Sequence, residues 1–358
     1  MSAPRTLMIM AGGTGGHIFP ALSVAEYVRA QGWNVVWLGS RAGMEARLIP
    51  EKGYTMAWIR FSGLRKRGFL PIALLPLNLL TAFWQSARAI FTHRPDVVLG
   101  MGGYVAFPGG MMASLFNRPL VIHEQNSVAG LTNRVLRHVA DKVLVAFPGA
   151  FGSRAKTEWT GNPVRADVAA VPPPEARFVG RTGRLRLFVL GGSQGATALN
   201  EVVPQAIARM SEAARPEVTH QAGAAHLEAV RQIYDRVGVT AAVVTFVDDV
   251  AARYAAADVM ICRAGASTIA ELAAAGVPAV LIPFPHAVDD HQLHNARFLS
   301  ERGAAVVIPQ SEVTPEKLAA LLAQLTRERL LEMARAARAA GKPDATRVVA
   351  EACMRLAA

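Results

Sequence analysis

Short apolar runs alternate with longer helical segments through the first half of the chain. The predicted strands cover residues 7–10, 34–38, 55–59, 96–99, 120–123 and 142–146, and the helices between them include 20–31 and 77–93. Runs that are apolar at nearly every position are typical of strands buried on both faces. Their alternation with helices predicts a mostly parallel sheet that is covered by helices on both sides.

The pattern breaks at a cluster of prolines in residues 171–175 and starts again at Leu185. Further strands are predicted at 185–190, 218–221, 242–245, 259–262, 279–282 and 304–308, and alanine-rich helices close the chain. The chain is therefore predicted to be an α/β protein with two Rossmann-like parallel-sheet domains that face each other across a cleft. The predicted domains are 1–163 and 185–340, with a linker at 164–184. A last helix at 341–358 could pack back on the first domain.

A glycine-rich turn follows the first strand of each half. Residues 12–17 read GGTGGH and residues 191–195 read GGSQG. The first turn is neither a dinucleotide fingerprint nor a P-loop, because no Gly-Lys-Ser/Thr follows it. Each turn directs backbone N–H groups and the start of a helix at one point, which is typical of a phosphate site.

Composition narrows the class of partner. The chain has 358 residues, a hydrophobic fraction of 52% and a formal net charge of +11. This charge favours phosphorylated substrates or anionic lipid. Nucleic acid is not predicted, because the chain has no aromatic RNA-binding signature, zinc finger or base-reading helix. Only Cys262 and Cys353 are present, which predicts no disulfide framework and fits a reducing cytoplasm. The early first strand leaves no room for a secretion signal.

Residues 69–84 form an uncharged apolar stretch that is interrupted by prolines. It is too short to span a bilayer, which needs about 20 apolar residues. A basic cluster precedes it, made of Arg60, Arg65, Lys66 and Arg67. Apolar residues beside cations are typical of a patch on an anionic membrane surface, with candidate contacts at Leu75, Leu79, Phe83 and Trp84. A buried helix after a basic loop is the alternative, and the sequence leaves both open.

The candidate proton-transfer groups lie in loops that follow strands. His17 closes the first glycine-rich turn, and histidine is the side chain best matched to proton transfer near neutral pH. The sequence HEQN at 123–126 ends another strand, where four polar residues suit a hydroxyl-rich ligand. The alternatives are that His17 packs or caps at a strand end, and that His123 and Glu124 only hold their own loop.

In the second half, Ser193 and the segment 263–271 are the candidate phosphate-binding groups. Ser267 and Thr268 are predicted to cap a helix whose N-terminus attracts a pyrophosphate. Glu271 is placed in the first turn of that helix, where its carboxylate could accept both ribose hydroxyls or serve as an ordinary capping-box acid. The loop at 283–295 has three histidines and two aspartates, but their spacing lacks a metal-binding pattern. No cofactor is predicted, and a divalent cation is not expected to be essential.

Six motifs in their order along the chain resemble the MurG family of peptidoglycan synthesis. They are GGTGGH at 12–17, GGY at 102–104, HEQN at 123–126, GNPVR at 161–165, GGSQG at 191–195 and GASTIAE at 265–271. The resemblance implies the type B glycosyltransferase fold and transfer of N-acetylglucosamine from UDP-N-acetylglucosamine to lipid I, which gives lipid II. It also implies a peripheral protein on the cytoplasmic face of the inner membrane, with anionic phospholipid as a partner and cell-wall synthesis proteins as candidate partners.

The resemblance also implies roles for individual residues. The donor-binding residues would be Thr14, Gly15, Gly16, Asn126, Arg165, Ser193, Val247, Ala266, Ser267, Thr268, Ile269, Ala270, Glu271 and Gln292. The acceptor-binding residues would be Tyr104, His123 and Asn133. Val247 would use its backbone for uracil, and Gln292, in a loop that varies within the family, would bind sugar hydroxyls. For an inverting displacement, His17 is the predicted base, with Glu124 or His123 as the fallback. The alternatives are another UDP-sugar enzyme, such as a different glycosyltransferase or an epimerase, and a non-catalytic UDP-sugar-binding membrane protein.

Overall fold

The structure is a computed structural model that describes residues 4–61, 75–152, 156–191, 195–285 and 290–357. The chain divides into two compact units. The first unit is Met1–Arg165 together with Asp344–Ala358, and the second is Ala166–Pro343. The residues at 166–184, which the sequence analysis assigned to a linker, belong to the second unit.

The first unit is built on a seven-stranded parallel sheet with the strand order β3-β2-β1-β4-β5-β6-β7. The two-residue strand β7 was not predicted from the sequence. The elements of this unit are β1 Thr6–Met10, α1 Gly15–Ala30, β2 Asn34–Ser40, α2 Glu45–Glu51, β3 Thr55–Ile59, α3 Leu75–His93, β4 Val97–Gly100, α4 Ala106–Leu115, β5 Leu120–Glu124, α5 Leu131–Leu136, β6 Lys142–Val145, β7 Glu158–Trp159 and, at the chain end, α15 Ala345–Leu356.

Alternate residues of β1 contribute to two cores, one on each face of the sheet. Leu7 and Ile9 pack in one core and Met8 and Met10 in the other, and all four are fully buried. The helix α15 packs against α1 and places Val349 in the same core as Leu7. The chain end is therefore part of the first unit because its apolar face completes this core.

The second unit contains a six-stranded parallel sheet with the order β10-β9-β8-β11-β12-β13. Its elements are α6 Ala166–Ala169, α7 Pro174–Phe178, β8 Arg186–Leu190, α8 Thr197–Ala208, β9 Glu217–Gln221, α9 Leu227–Arg236, β10 Ala241–Val244, α10 Val250–Ala256, β11 Val259–Cys262, α11 Ala266–Ala275, β12 Ala279–Leu281, α12 His291–Ser300, β13 Ala305–Val307, α13 Pro315–Ala323 and α14 Arg327–Ala340. The two parallel sheets confirm the predicted α/β fold class.

Arg177 explains why the proline-rich segment is not a linker. Its guanidinium donates hydrogen bonds to the carbonyl oxygens of Pro172 at 3.0 Å, Tyr254 at 3.1 Å and Ala275 at 3.0 Å. Burial lowers the pKa of Arg177 to about 10, so the side chain stays charged at neutral pH. These bonds attach α7 to the body of the second unit.

The strand order reverses at one place in each sheet, between β1 and β4 in the first and between β8 and β11 in the second. Loops that leave neighbouring strands at such a point run to opposite sides of the sheet and open a crevice at the carboxyl ends of the strands. In the first unit the loops at this point follow Met10 and Gly100, and in the second they follow Leu190 and Cys262. Four of the six sequence motifs follow these strands, namely GGTGGH, GGY, GGSQG and GASTIAE, whereas HEQN lies at the end of β5 and GNPVR follows β7.

Candidate active site

The first glycine-rich turn leads directly into α1. The helix begins at Gly15, earlier than the predicted start at residue 20, and Thr14 takes the N-cap position without a side-chain capping bond. His17 therefore lies in the first helical turn, where its N–H donates to the carbonyl of Thr14 at 3.1 Å. The N–H groups of Gly15 and Gly16 precede any intrahelical acceptor, so they are the groups of this turn that suit an anion.

The buried carboxylate of Glu45 is hydrogen-bonded to the main chain of this turn. It accepts hydrogen bonds from the N–H of Gly13 at 3.1 Å and from the N–H and Oγ of Ser40 at 3.1 and 3.0 Å. The Oγ of Ser40 lies 2.8 Å from the hydroxyl of Tyr104, and burial raises the pKa of Tyr104. Sequence reasoning missed Glu45, because an acid at the start of a short helix looks like an ordinary helix-dipole partner.

The loop after β4 contacts the turn after β1. Gly102 and Gly103 both have positive φ, at 85° and 78°. A Cβ on Gly103 would overlap the carbonyl oxygen of Gly12, and one on Gly102 would lie 3.1 Å from the imidazole of His17. Glycine is needed here for backbone conformation and for close approach, and the approach places His17 against the second loop.

Glu124, at the end of β5, is hydrogen-bonded to residues that follow it in the chain. Its carboxylate accepts bonds from the N–H of Asn126 at 3.0 Å, the Nδ2 of Asn126 at 3.4 Å, the N–H of Gly130 at 3.1 Å and the Nδ2 of Asn133 at 2.9 Å. The residue is 2% exposed. Both oxygens are occupied, whereas the imidazole of His17 is only half-buried. The geometry therefore favours His17 over Glu124 as the proton acceptor.

His123 is fully buried and both of its ring nitrogens have partners within the first unit. Nε2 lies 2.9 Å from the carbonyl of Gly161, and Nδ1 lies 3.0 Å from Nε2 of Gln125. Burial lowers the pKa of His123 to about 4. No ring atom is left for a ligand, which corrects the expectation that His123 contacts the acceptor or serves as a base. Asn133 is 2% exposed and its Nδ2 also bonds within the loop, so it too has an interior role.

In the second unit, the loop after β11 ends at Gly265, which is the N-cap of α11. Ser267 and Thr268 lie inside the first turn, so they do not cap the helix as predicted. Glu271 lies in the second turn and not in the first. Ala266 and Ile269 are buried, so any contact with a ligand must use their main chain, and Ala270 is half-buried. The buried Oγ of Ser267 has no partner among the described residues, which suits a ligand oxygen.

Glu271 has a dedicated donor. The hydroxyl of Tyr254, a fully buried residue of α10, donates to its Oε2 at 2.7 Å. A hydrogen bond of this kind fixes the rotation of the carboxylate. Tyr254 could not be found from the sequence, because its contact with Glu271 is created by the packing of α10 against α11.

Two other residues that were predicted to bind UDP-N-acetylglucosamine, Gln292 and Val247, already form hydrogen bonds within the protein. Oε1 of Gln292 accepts from the N–H groups of Ala264 at 3.3 Å and Phe284 at 2.9 Å, so only its amide nitrogen remains for a sugar. The N–H of Val247 donates to Oε1 of Gln221 at 3.2 Å. A uracil contact at Val247 can therefore use its carbonyl alone. Ser193 lies outside the described residues, and Arg165 is half-buried at the end of the first chain segment of the first unit.

Comparison with known proteins identifies the family. Residues 7–145 match the glycosyltransferase family 28 N-terminal domain, and residues 186–349 match the family 28 C-terminal domain. A protein of Nitrosospira multiformis, named UDP-N-acetylglucosamine--N-acetylmuramyl-(pentapeptide) pyrophosphoryl-undecaprenol N-acetylglucosamine transferase, is 58% identical over 99% of both chains. A protein of the same name from Cupriavidus metallidurans is 59% identical over 99% of this chain and 98% of its own. The chain belongs to the MurG family.

A crystal structure agrees with this assignment. The MurG of Acinetobacter baumannii superposes with a TM-score of 0.87 at 39% identity, covering 98% of this chain and 100% of its own. The calicheamicin glycosyltransferase CalG4 has a TM-score of 0.65 at 18% identity, a likeness that shows the fold alone. The family and enzyme class that the motifs predicted are thus confirmed, while the role of each MurG-type site residue stays a prediction.

Metal ligands and membrane-spanning helices were sought over the described ranges. Across them, no three or more His, Cys, Asp or Glu side chains are grouped so that they could hold a metal ion. Residues 286–289, which carry part of the histidine-rich loop, lie outside those ranges. No helix within them has the length and apolar character needed to cross a membrane.

The helix α3 carries the apolar residues that the sequence assigned to a membrane surface. Trp84 is 62% exposed, whereas Leu75, Leu79 and Phe83 are half-buried. Phe83 packs against the ring of Phe107, with centroids 5.8 Å apart. The residues that form the exposed stripe, which the sequence reading missed in part, are Leu77, Leu80, Trp84 and Phe91. The basic residues Arg65, Lys66 and Arg67 lie outside the described residues.

Proposed function

We propose that this chain transfers N-acetylglucosamine from UDP-N-acetylglucosamine to the C4 hydroxyl of N-acetylmuramic acid in undecaprenyl-pyrophosphoryl-MurNAc-pentapeptide, lipid I, and so forms lipid II. The observation that carries this function is the identity of 58% with the Nitrosospira transferase over 99% of both chains. Such a match spans both units, and so covers both the donor-binding and the acceptor-binding parts of the enzyme.

His17 is the proposed general base of an inverting displacement. The acceptor oxygen attacks the anomeric carbon as His17 takes its proton, and the bond from that carbon to the phosphate oxygen breaks, which releases UDP. A positioned base typically contributes about 10²- to 10⁴-fold in rate. The charge on departing UDP would be met by the N–H groups at the start of α11 in the second unit.

The decisive assay incubates the protein with labelled UDP-N-acetylglucosamine and a lipid I analogue and measures labelled disaccharide product. We expect product from the wild type, and the same rate after EDTA treatment. His17→Ala should lower kcat by about 10²- to 10⁴-fold and leave the Kd for UDP-N-acetylglucosamine unchanged. The exposed His138→Ala serves as the matched control. Absence of product from the wild type would refute the function, and equal losses in kcat and affinity would make His17 a binding residue.

We further propose that the exposed stripe on α3 lies on the anionic surface at the cytoplasmic face of the inner membrane. Its members recur at spacings of three, four and seven residues, which places them on one side of a helix. Leu77 and Trp84 are each 62% exposed, and the guanidinium of Arg88 lies 5.8 Å from the Trp84 ring centroid. Apolar insertion together with cationic attraction is the usual basis of peripheral binding.

Vesicle co-sedimentation tests this surface. The wild type should bind phosphatidylglycerol vesicles more strongly than phosphatidylcholine vesicles, and added salt should weaken the binding because it screens the attraction. Trp84→Asp should reduce binding, while Val179→Asp, at a residue of the second unit that is 79% exposed, should not. Equal binding of both variants would refute the assignment of α3.

A further inference from the structure

Three side chains of the first unit form a continuous row of hydrogen bonds that ends at His17. Nδ1 of His17 lies 2.9 Å from Oε1 of Gln125, and Nε2 of Gln125 lies 3.0 Å from Nδ1 of His123. Nε2 of His123 lies 2.9 Å from the carbonyl oxygen of Gly161. Gln125 is 1% exposed and His123 is fully buried, so water does not compete for these bonds.

The donor and the acceptor of each hydrogen bond in the row can be worked out from the buried end, at the carbonyl oxygen of Gly161. The carbonyl of Gly161 can only accept, so Nε2 of His123 must carry a proton. Burial holds the pKa of His123 at about 4, so the ring is neutral at physiological pH and its Nδ1 is a bare acceptor. Gln125 must therefore present its amide nitrogen to His123.

A second contact fixes the same orientation of Gln125 independently. Its amide nitrogen also lies 3.0 Å from the main-chain carbonyl oxygen of His123, which is again an acceptor only. The amide oxygen must then face His17. Because an amide oxygen only accepts, Nδ1 of His17 must carry a proton.

We propose that Gln125 and His123 are positioning residues that hold neutral His17 in the Nδ1–H tautomer and thereby leave its Nε2 lone pair as the proton acceptor. This inference rests on the proposed role of His17 as the base. A neutral imidazole has one N–H, so the position of that proton decides which nitrogen can take another. The two residues act through His17 and need not touch either substrate.

The amide has an advantage over a carboxylate at this position. A carboxylate beside Nδ1 would also orient the ring, but it would favour the protonated imidazole, which cannot act as a base. Gln125 accepts the Nδ1 proton without adding a charge. The neighbouring carboxylate of Glu124 instead accepts hydrogen bonds from amide and main-chain N–H groups that follow it in the chain.

The first test reads the tautomer directly. In full-length protein labelled with ¹⁵N in its histidine rings, long-range proton–nitrogen correlations identify the protonated nitrogen of His17, which is assigned by its loss in His17→Ala. We expect a protonated Nδ1 and a bare Nε2 in the wild type. A proton on Nε2 would overturn the proposal, whatever activity the enzyme has.

The second test changes Gln125. Gln125→Met keeps the length of the side chain and removes its hydrogen bonds to His17 and His123, so we expect a mixture of His17 tautomers and a fall in kcat of about five- to tenfold, the rate equivalent of one lost hydrogen bond. The KM for UDP-N-acetylglucosamine should be unchanged, and Gln31→Met, at an exposed position of the same unit, should behave as wild type. An unchanged kcat with a single tautomer would overturn the proposal.

A third variant distinguishes positioning from structural support. Gln125→Glu places a carboxylate against His17, so the acid limb of the pH–rate profile should move to higher pH and kcat should recover as the pH rises. A variant that was only misfolded would not recover, and a profile like that of the wild type would contradict the proposal. A wild type that lacks transferase activity but has the expected tautomer would refute the proposed function and leave the hydrogen-bond assignment standing.

Discussion

Replacement of Glu45 by glutamine should loosen the glycine-rich turn that carries His17. Both carboxylate oxygens are used, because Oε1 accepts from Ser40 and Oε2 accepts from Gly13 at 3.1 Å. If the amide oxygen of Glu45→Gln keeps the Ser40 bonds, its NH₂ group faces the N–H of Gly13, and two donors oppose each other. A hydrogen bond to a charged group contributes about 1.5–3 kcal/mol, and the relief of burying a charge offsets part of the loss.

We therefore expect Glu45→Gln to lower the stability of the first unit by about 2 kcal/mol, which in a unit of this size corresponds to a fall in Tm of roughly 4–8 °C. Calorimetry measures the transition of each unit, and the transfer assay measures kcat, which should also fall. Glu51→Gln is the matched control because it makes the same change on the same helix. Glu51 is exposed and lies 4.0 Å from Arg47, and such surface pairs contribute little. Equal melting of the two variants would refute the supporting role of Glu45.

Three further outcomes follow from the structure. Tyr254→Phe removes the hydroxyl that orients the carboxylate of Glu271 on α11, so it should weaken UDP binding by about tenfold. The affinity for a UDP analogue that lacks the ribose hydroxyls should not change. Gly103→Ala should abolish activity because its Cβ would overlap the carbonyl oxygen of Gly12. Gly32 has a similar φ of 81° but open space around its Cα, so Gly32→Ala should lower stability by backbone strain and leave activity unchanged. Burial lowers the pKa of His123 and of His220 to about 4 in the folded protein. In the unfolded chain both histidines have the ordinary pKa of about 6.5, so below this pH the unfolded state binds more protons than the folded state. Stability should therefore fall as the pH drops from about 6.5 to 4, by up to about 3 kcal/mol for each histidine, and acid unfolding followed by calorimetry measures it.

The parallel sheets were predictable because their strands are short, apolar and separated by helices. The predicted runs at 55–59 and 259–262 coincide with β3 and β11, and the other predicted strands differ from the structure by one or two residues at one or both ends. The linker was mispredicted for a physical reason. Prolines at 171–175 indicate a break in secondary structure, but they do not reveal that Arg177 is bonded to the distant carbonyl groups of Tyr254 and Ala275.

The site was predictable only as far as its loops. The position of a loop follows from the end of its strand, so His17 and the segment 263–271 were found from the sequence. The partners that orient the functional groups come from other elements. Glu45 reaches Gly13 across 32 residues and Gln125 reaches His17 across 108 residues. No local pattern in one sequence records such a contact.

The two glycine-rich units look alike in sequence, but their chemical surroundings differ. In the first unit, the turn is supported by the carboxylate of Glu45, which takes the N–H of Gly13 and places an anion behind the loop. This leaves one main-chain donor fewer for a phosphate, whereas a half-buried imidazole with one bare nitrogen suits a hydroxyl. In the second unit, α11 begins at Ala266 with no acidic residue in its first turn, so the dipole at its N-terminus attracts phosphate. This difference favours proton transfer at the first unit and nucleotide binding at the second, which is the division of labour that a transferase with a neutral acceptor hydroxyl and an anionic leaving group requires.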